Sequence, residues 1–168
     1  MNDVMKSTLL ALIDGEMPSP DAIRSCFDTI MEGEVSQVQI SAFLVALKMR
    51  GERVEDIAAA ANVMRAKARI IKAPKKAMDI VGTGGDGIGT YNISTATAFV
   101  VAGCGIPVAK HGNRAISSKS GAADVLSCLK INLDCEMMLV ERALAEAGVC
   151  FLMAPRHHAA MRHVGPVR

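Results

Sequence analysis

A glycine-rich segment is the first part of this sequence that could do chemistry. Five glycines fall between Gly82 and Gly89, and the polar run Asn92-Ile93-Ser94-Thr95 follows shortly after. Glycine lets backbone N–H groups approach a ligand closely. A helix that begins at the polar run would add further N–H groups and the positive end of its dipole. These residue types therefore predict an anion site, with phosphate as the natural ligand.

A second segment, residues 110–120, carries cations and small hydroxyl donors. Such side chains suit phosphate oxygens, either as charges or as hydrogen-bond donors. They are Lys110, Arg114, Lys119, Ser117, Ser118 and Ser120. No Asp or Glu occurs in the sequence between Asp86 and Asp124, so no acidic residue within this stretch offsets the positive charge. Together the two segments predict a polyphosphorylated sugar or a nucleotide as ligand, accompanied by a divalent cation.

The glycine segment also matches two common nucleotide motifs in part. Residues 82–87 satisfy G-x-G-x-x-G, but that dinucleotide motif continues with an acidic residue about twenty positions later, which holds a ribose hydroxyl. The sequence has no acid there. A P-loop needs Lys followed by Ser or Thr directly after its glycines, and this pair is missing as well. Both motifs are therefore disfavoured.

The elements that must position these segments alternate between strand and helix. The predicted strands are Ala77–Val81, Ile106–Ala109 and Val149–Met153. The predicted helices run over 94–103, from about residue 120, and from an Asp134 N-cap to a Gly148 C-cap. This order predicts a parallel α/β sheet in a domain of residues 74–168. Three strands are few for a parallel sheet, so we expect the domain to be incomplete.

Residues 1–73 are predicted to form a separate helical domain. Helix boundaries are indicated by Ser19-Pro20, by the capping-box spacing of Ser36 and Gln39, and by glycines after three of the helices. Four helices are predicted, the last over about 54–68. We expect them to pack through a set of apolar residues on their inner faces. This set is Phe27, Ile40, Phe43, Leu44 and Leu47.

Composition excludes several classes of protein. Of the 168 residues, 51% are hydrophobic and 21% charged, which is typical of a globular chain rather than a disordered one. A net charge of +2 is too small to indicate a nucleic-acid or membrane partner. Five cysteines without C-x-x-C spacing predict buried free thiols in a reducing compartment. Because the sequence shows no signal peptide and no membrane-spanning segment, we expect a soluble, cytoplasmic protein.

Three motifs resemble, in order and spacing, the anthranilate phosphoribosyltransferase family. They are Gly82-Thr83-Gly84-Gly85-Asp86, Tyr91-Asn92-Ile93-Ser94-Thr95, and the run from Lys110-His111-Gly112-Asn113-Arg114 through Ser117-Ser118-Lys119-Ser120-Gly121-Ala122-Ala123-Asp124. The third run is the most specific, and the likeness extends from about residue 3 to Arg168. The resemblance implies a helical dimerisation domain joined to an α/β domain of the nucleoside phosphorylase and phosphoribosyltransferase type.

The resemblance also implies a reaction. The family transfers the 5-phosphoribosyl group of phosphoribosyl pyrophosphate (PRPP) to the amine of anthranilate, which gives N-(5-phosphoribosyl)anthranilate and pyrophosphate in tryptophan biosynthesis. It uses Mg²⁺ and works as a cytoplasmic homodimer. Breaking the ribosyl C–O bond leaves negative charge on pyrophosphate, so N–H donors, cations and metal at the leaving group are the main aids. The aryl amine already carries its lone pair, and a strong general base is not required.

Site residues follow from the resemblance by position, and none is assigned a certain catalytic role. The residues expected to bind PRPP are Gly82, Gly85, Asp86, Thr90, Asn92, Ile93, Ser94, Thr95, Lys110, His111, Gly112, Asn113, Arg114, Ala115, Ile116, Ser117, Ser118 and Ala122. Ser94 is expected to face the metal ion as well. The residues expected to bind anthranilate are Gly82, Asn113 and Arg168, with Arg168 on the carboxylate.

Family members are longer than this sequence, and their later segment carries an acidic pair that holds magnesium. We therefore expect this chain to be an N-terminal portion that binds the donor weakly at most and shows no measurable transfer by itself. Three alternatives remain open from the residues: a related pyrimidine nucleoside phosphorylase, a catalytically inactive relative that binds nucleic acid, and a structural helical dimerisation module. The last would leave the anion-binding segments without a use.

Overall fold

A computed structural model of the chain describes residues 3–82, 91–115 and 120–167. These residues form two compact units. The first, the helical unit, comprises residues 3–69 together with 158–167. The second, the α/β unit, comprises the described residues between 70 and 157.

The helical unit contains the four helices that the sequence predicts. They are α1 (Asp3–Ile13), α2 (Pro20–Glu32), α3 (Gln37–Arg50) and α4 (Val54–Ala66). Ser19 caps α2 by accepting the backbone N–H of Ala22 at 3.2 Å. Ser36 and Gln39 form the predicted capping box of α3, with bonds of 3.3 and 3.4 Å between side chain and backbone. Local sequence signals therefore set these helix starts.

The predicted apolar set forms the core of the helical unit. Ile40, Phe43 and Leu47 are buried, and Phe27 and Leu44 pack against them. The rings of Phe27 and Phe43 meet edge to face at 5.5 Å, a favoured aromatic geometry. The packing prediction is confirmed.

The helical unit is closed by residues from the far end of the chain. Two short 3₁₀ helices, Ala159–His163 and Gly165–Val167, follow the α/β unit. Val164, between them, is 9% exposed and joins the helical core. The predicted domain boundaries assign these residues to the α/β domain, whereas the structure places residues 158–167 with the helices. The physical reason is that Val164 buries its side chain among the helical residues.

A buried carboxylate joins the end of α3 to the start of α4. Asp56 is 1% exposed and accepts hydrogen bonds from the side chains of Arg50 and Arg53 and from the Arg53 backbone. Arg53 also donates to the carbonyl of Pro18 at 2.7 Å. Burial alone would raise the pKa of Asp56, but the hydrogen bonds from Arg53 and the nearby positive charges outweigh it, so the pKa lies below its usual value.

The α/β unit contains two paired strands and four helices among its described residues. They are α5 (Ile93–Gly103), β1 (Val108–Gly112), α6 (Ala122–Cys128), α7 (Met137–Ala147), β2 (Val149–Met153) and α8 (Ala154–His157). The strands are parallel, and Lys110 lies opposite Phe151 in the register. Met78 forms a single parallel bridge to Val108. The parallel α/β architecture is confirmed.

Three details of the predicted elements differ from the structure. The predicted strand Ala77–Val81 is reduced to the bridge at Met78. The strand predicted over Ile106–Ala109 begins two residues later and ends three residues later, so that Lys110 and His111 are within β1. The N-cap of α7 is Glu136 instead of Asp134. Asp134 forms a local turn instead, in which its own N–H donates to Asn132 Oδ1 at 3.0 Å.

All five cysteines are free thiols, but the prediction of burial holds for only some of them. Cys26 and Cys150 are buried, whereas Cys104 and Cys128 are exposed. Burial raises the pKa of Cys150 to about 11, which keeps this thiol protonated and unreactive at neutral pH. Within the described ranges, no helix has both the length and the apolar character needed to cross a bilayer.

Candidate functional site

The amino end of α5 carries the polar run that the sequence analysis singles out. Asn92 occupies the N-cap position, and the first i→i−4 bond of the helix runs from Ala96 N to Asn92 O. In the preceding turn, the N–H of Ile93 donates to the carbonyl of Tyr91 at 2.7 Å, and the N–H of Ser94 points out of the helix end. Thr95 is 2% exposed, and its hydroxyl donates to Asn92 Oδ1 at 2.6 Å. Its side chain thus fixes the N-cap and faces away from solvent.

Lys110 is the best-buried cation of the described chain, at 3% exposure. Its ammonium group donates to the carbonyl of Ile80 at 2.6 Å and to Ser94 Oγ at 3.2 Å. Burial lowers the pKa of Lys110, and the negative charge of Asp79 opposes that effect. Lys110 therefore joins the residues just before the glycine segment to the first turn of α5, which lies just after it.

Asp79 makes a second contact between the residues just before the glycine segment and β1. Its Oδ1 accepts the backbone N–H of His111 at 2.9 Å. The carboxylate thus lies beside β1, close enough to act on the charge of Lys110. Asp79 and Lys110 together hold residues 79–80 against β1, and so determine where the glycine segment begins.

Asp124, in the first turn of α6, holds residues 114 and 115 of the second predicted segment. Its Oδ2 accepts the N–H of Ala115 at 2.9 Å and that of Gly121 at 2.8 Å. Its other oxygen lies 3.4 Å from the guanidinium of Arg114. The hydrogen bonds from Ala115 and Gly121, followed by the charge of Arg114, hold the pKa of Asp124 below its usual value.

Two glycines allow the backbone to pass closely at this place. A Cβ atom at Gly121 would lie 2.7 Å from the carbonyl carbon of Arg114 and 2.8 Å from the carbonyl oxygen of Asn113. A Cβ at Gly112 would lie 2.9 Å from the ring of Phe151 and 3.1 Å from Cβ of Ala122. The contacts at Gly121 are with backbone atoms and are shorter than real Cβ atoms make, so close approach requires glycine there, whereas at Gly112 the Phe151 ring would have to shift.

Substitution of Gly121 by alanine is expected to disturb the segment 113–115. The added methyl group would meet backbone atoms, which cannot rotate away as a side chain can. We expect a loss of about 1–3 kcal/mol in the free energy of unfolding, as for other overpacked sites. Urea unfolding measures it, with Gly82→Ala as the control, because a Cβ at Gly82 meets no atom of the described residues within 4 Å. Equal effects of the two substitutions would contradict the prediction.

The structure brings the described site residues into two groups. Ser94 and Lys110 are in direct contact, and Asn113, Arg114 and Ala115 are tied to the start of α6, where Ala122 also lies. Gly82 is exposed. Asn92, Ile93 and Thr95 lie beside Ser94 at the start of α5, and His111 and Gly112 follow Lys110 in β1. Seven other predicted residues lie outside the described part of the chain. They are Gly85, Asp86, Thr90, Ile116, Ser117, Ser118 and Arg168.

Two acidic residues of the site were missed as functional candidates from the sequence. Asp124 is the third residue of α6, and its side chain reaches back to the N–H of the N-cap, Gly121. That half of a capping box could have been predicted from its three-residue spacing. Asp79 carries no comparable local signal, because its partner is 32 positions away.

A cavity of about 120 Å³ lies beside this site within the α/β unit. Its lining is mostly apolar, and Lys110 and Thr95 form its polar wall together with Asn132. The Lys110 ammonium therefore borders a largely apolar space, which agrees with the lowered pKa of Lys110. Among the described residues, no group of three or more His, Cys, Asp or Glu side chains could hold a metal ion.

Two protein-family models match the chain. The helical bundle domain of the glycosyl transferase family matches residues 6–68, and the α/β domain of that family matches residues 74–168. Together they span both parts of the sequence that carry the predicted elements.

Similar proteins were also found among curated sequences. Anthranilate phosphoribosyltransferase of Azospirillum brasilense is 57% identical over 164 residues, which are 98% of this chain and 46% of that protein. Its counterpart in Rhodospirillum rubrum is 55% identical over 99% of this chain and 48% of its own length. The chain thus spans about half the length of the curated relatives it matches.

Solved structures agree with the fold. Anthranilate phosphoribosyltransferase from Thermus thermophilus matches with a TM-score of 0.85 and 46% identity, over 95% of this chain and 49% of that one. The enzyme from Saccharomyces cerevisiae, in complex with PRPP and Mg, matches with a TM-score of 0.88 and 28% identity, over 100% of this chain and 51% of that one.

Proposed function

The chain belongs to the glycosyl transferase family and corresponds to the N-terminal portion of anthranilate phosphoribosyltransferases, and we propose that it forms the PRPP-binding part of such an enzyme. The whole enzyme would transfer the phosphoribosyl group of PRPP to anthranilate in tryptophan biosynthesis. Residues 74–168 would bind the donor, and residues 1–73 would form the dimerisation domain. A soluble phosphorylated substrate fits a cytoplasmic location.

One observation carries the proposal. Lys110 connects Ile80 to Ser94, and therefore connects the two ends of the glycine-rich segment. This contact places the amino end of α5 beside the start of that segment, where backbone N–H groups and the helix dipole favour phosphate. The 57% identity to an anthranilate phosphoribosyltransferase supports PRPP as the source of that phosphate.

The arrangement suits departure of pyrophosphate. As the ribosyl C–O bond breaks, negative charge grows on the leaving group. N–H donors fixed at the amino end of α5 stabilise that charge. Asn113 follows β1 and precedes the tied residues Arg114 and Ala115. We assign it to the place where donor and acceptor meet. Gly82 and Arg168 complete the proposed anthranilate contacts.

Ser94 is the described residue suited to the Mg²⁺ that this family's yeast relative contains. Its hydroxyl oxygen accepts one bond from Lys110 at 3.2 Å and retains a second lone pair, which a hard oxygen-seeking cation can use. The ammonium group beside it repels a metal ion, so the phosphates of PRPP would supply most of the ligands. When bound, the ion would neutralise charge on the leaving pyrophosphate.

Calorimetric titration of the chain with PRPP, with and without Mg²⁺, tests the proposed function. We expect saturable binding that is stronger with the metal ion, and weaker binding of ribose 5-phosphate, which lacks the diphosphate. Retention on a DNA column that weakens steeply with salt would favour the nucleic-acid-binding alternative. Phosphorolysis of a pyrimidine nucleoside would favour the phosphorylase alternative. Absence of PRPP binding would refute the proposal.

We also propose that the helical unit pairs with a second copy of the chain. Val38, Val45 and Met49 are 79%, 57% and 83% exposed, and their spacing places them on one face of α3. The neighbouring helix α1 packs against α3 and also exposes two apolar side chains, Leu10 and Ile13. Large apolar side chains exposed on neighbouring helices are typical of an interface between subunits.

Substitution of Val45 by aspartate is expected to convert a dimer into monomers. A charge placed in an apolar interface must be desolvated without a partner, which costs several kcal/mol. Sedimentation equilibrium measures the change. Leu129→Asp is the matched control, because Leu129 is 59% exposed and belongs to the α/β unit, not to the helical unit that carries the proposed interface. A wild-type chain that stays monomeric at high concentration would contradict the proposed dimer.

A further inference from the structure

We propose that Asp124 is a positioning residue of the donor site, which holds Asn113, Arg114 and Ala115 in place to receive PRPP. This role rests on the proposed function and deepens it, because it adds to the site a residue that the resemblance does not place among the ligand contacts. The observations that carry it are the contacts of the Asp124 carboxylate and of its neighbours in α6.

Each residue of the segment 113–115 is tied to the start of α6. Ala115 donates its N–H to Asp124 Oδ2 at 2.9 Å, and the Arg114 guanidinium lies 3.4 Å from Oδ1. The carbonyl of Asn113 accepts the N–H of Ala123 at 3.2 Å. The side chain of Asn113 in turn accepts the N–H of Arg114 at 2.8 Å. Segment and helix therefore form one hydrogen-bonded unit with Asp124 at its centre.

A carboxylate is suited to this place because it only accepts hydrogen bonds. One oxygen serves two backbone N–H groups, and the other faces a cation, so no donor of Asp124 competes with these contacts. The same hydrogen bonds lower the pKa of Asp124 below its usual value. Bonds to an ionised acceptor are stronger than bonds between neutral groups.

Capping of α6 does not account for all of these contacts. The cap needs only the bond from Gly121 N, the N-cap residue, to the third residue of the helix. The bond from Ala115 and the pairing with Arg114 reach outside the helix, into the segment predicted to bind PRPP. Arg114 is 59% exposed, and its long side chain would otherwise sample many rotamers. The pairing restricts it before the ligand arrives, which reduces the entropic cost of binding.

The test compares three variants of the full chain. Asp124→Ala removes all three contacts. Asp124→Asn keeps an oxygen for the backbone N–H groups but loses the charge opposite Arg114. Glu141→Ala is the matched control, because Glu141 also accepts a backbone N–H, from Lys72 at 2.8 Å, elsewhere in the same unit. Calorimetry gives the affinity of each variant for PRPP with Mg²⁺ and for pyrophosphate, and thermal unfolding gives its stability.

We expect Asp124→Ala to weaken PRPP binding by about tenfold or more and pyrophosphate binding by less than about twofold, because the bonds of Lys110 that hold the end of α5 remain. Asp124→Asn should cause a smaller loss, about threefold, and Glu141→Ala none. Wild-type affinity in Asp124→Ala would overturn the proposal. So would equal losses for both ligands, which indicate a purely structural role. A wild-type chain without PRPP binding would overturn the proposed function, and this role with it.

Discussion

Replacing Asp56 with alanine is expected to lower the free energy of unfolding by about 3–5 kcal/mol, the largest effect we predict for a single side chain. The side chain of Arg50 is only 7% exposed, and Asp56 neutralises it. Without the carboxylate, a guanidinium group remains buried and uncompensated, and Arg53 loses its anchor at the start of α4. Equilibrium unfolding in urea, monitored by circular dichroism, measures the loss.

Asp21→Ala is the matched control for that experiment. Asp21 pairs with Arg24 at 3.4 Å, but both side chains are largely exposed, and such pairs contribute little. Acidification provides a second check. The pKa of Asp56 is lower in the folded chain than in the unfolded one, so its contribution is complete above about pH 4 and is lost as the pH falls further. A stability difference between wild type and Asp56→Ala that stays constant down to about pH 2 would contradict the assignment.

Replacing Lys110 with methionine is expected to weaken PRPP binding by about tenfold or more. Methionine fills a similar volume but donates no hydrogen bond, so the carbonyl of Ile80 and the hydroxyl of Ser94 both lose their partner. The residues just before the glycine segment and the amino end of α5 would then no longer be held together. Calorimetry with PRPP and Mg²⁺ measures the change.

Two further substitutions sharpen the Lys110 experiment. Lys72→Met removes a charge from an exposed lysine of the same unit and should leave the affinity unchanged. Ser94→Ala removes one of the two acceptors of Lys110 and should cause a loss of its own. If Lys110→Met and Lys72→Met bind PRPP equally well, then the ammonium of Lys110 does not organise the donor site.

Much of the fold could be predicted because its signals are local. Ser19, Ser36 and Gly33 mark helix ends by interactions within four residues, and the helices begin and end where these residues predict. Gly33 has a φ of 80°, a conformation that other residues rarely adopt. The N-cap of α7 was wrong for a related reason, because the side chain of Asn132 makes a local turn that includes Asp134, and the helix begins after Glu136.

The rest depends on contacts between distant positions, which a single sequence does not display. Lys110 has the residue type of a phosphate ligand, but its partners Ile80 and Ser94 lie 30 and 16 positions away. The half capping boxes of Asp56 and Asp124 escaped notice because their N-cap residues, Arg53 and Gly121, have no side-chain acceptor like that of serine. Both acids turned out to join separate segments.

The position of Val164 in the helical core has a consequence for synthesis on the ribosome. The four helices leave the ribosome first, and the whole α/β unit is made before Val164 appears. At about 5–20 residues per second, the helices wait roughly 5–20 s for the residue that closes their core. During that interval their apolar residues remain partly uncovered, which is the period when a nascent chain is most open to chaperones. Completion of the helical unit is thus delayed until the α/β unit has been synthesised.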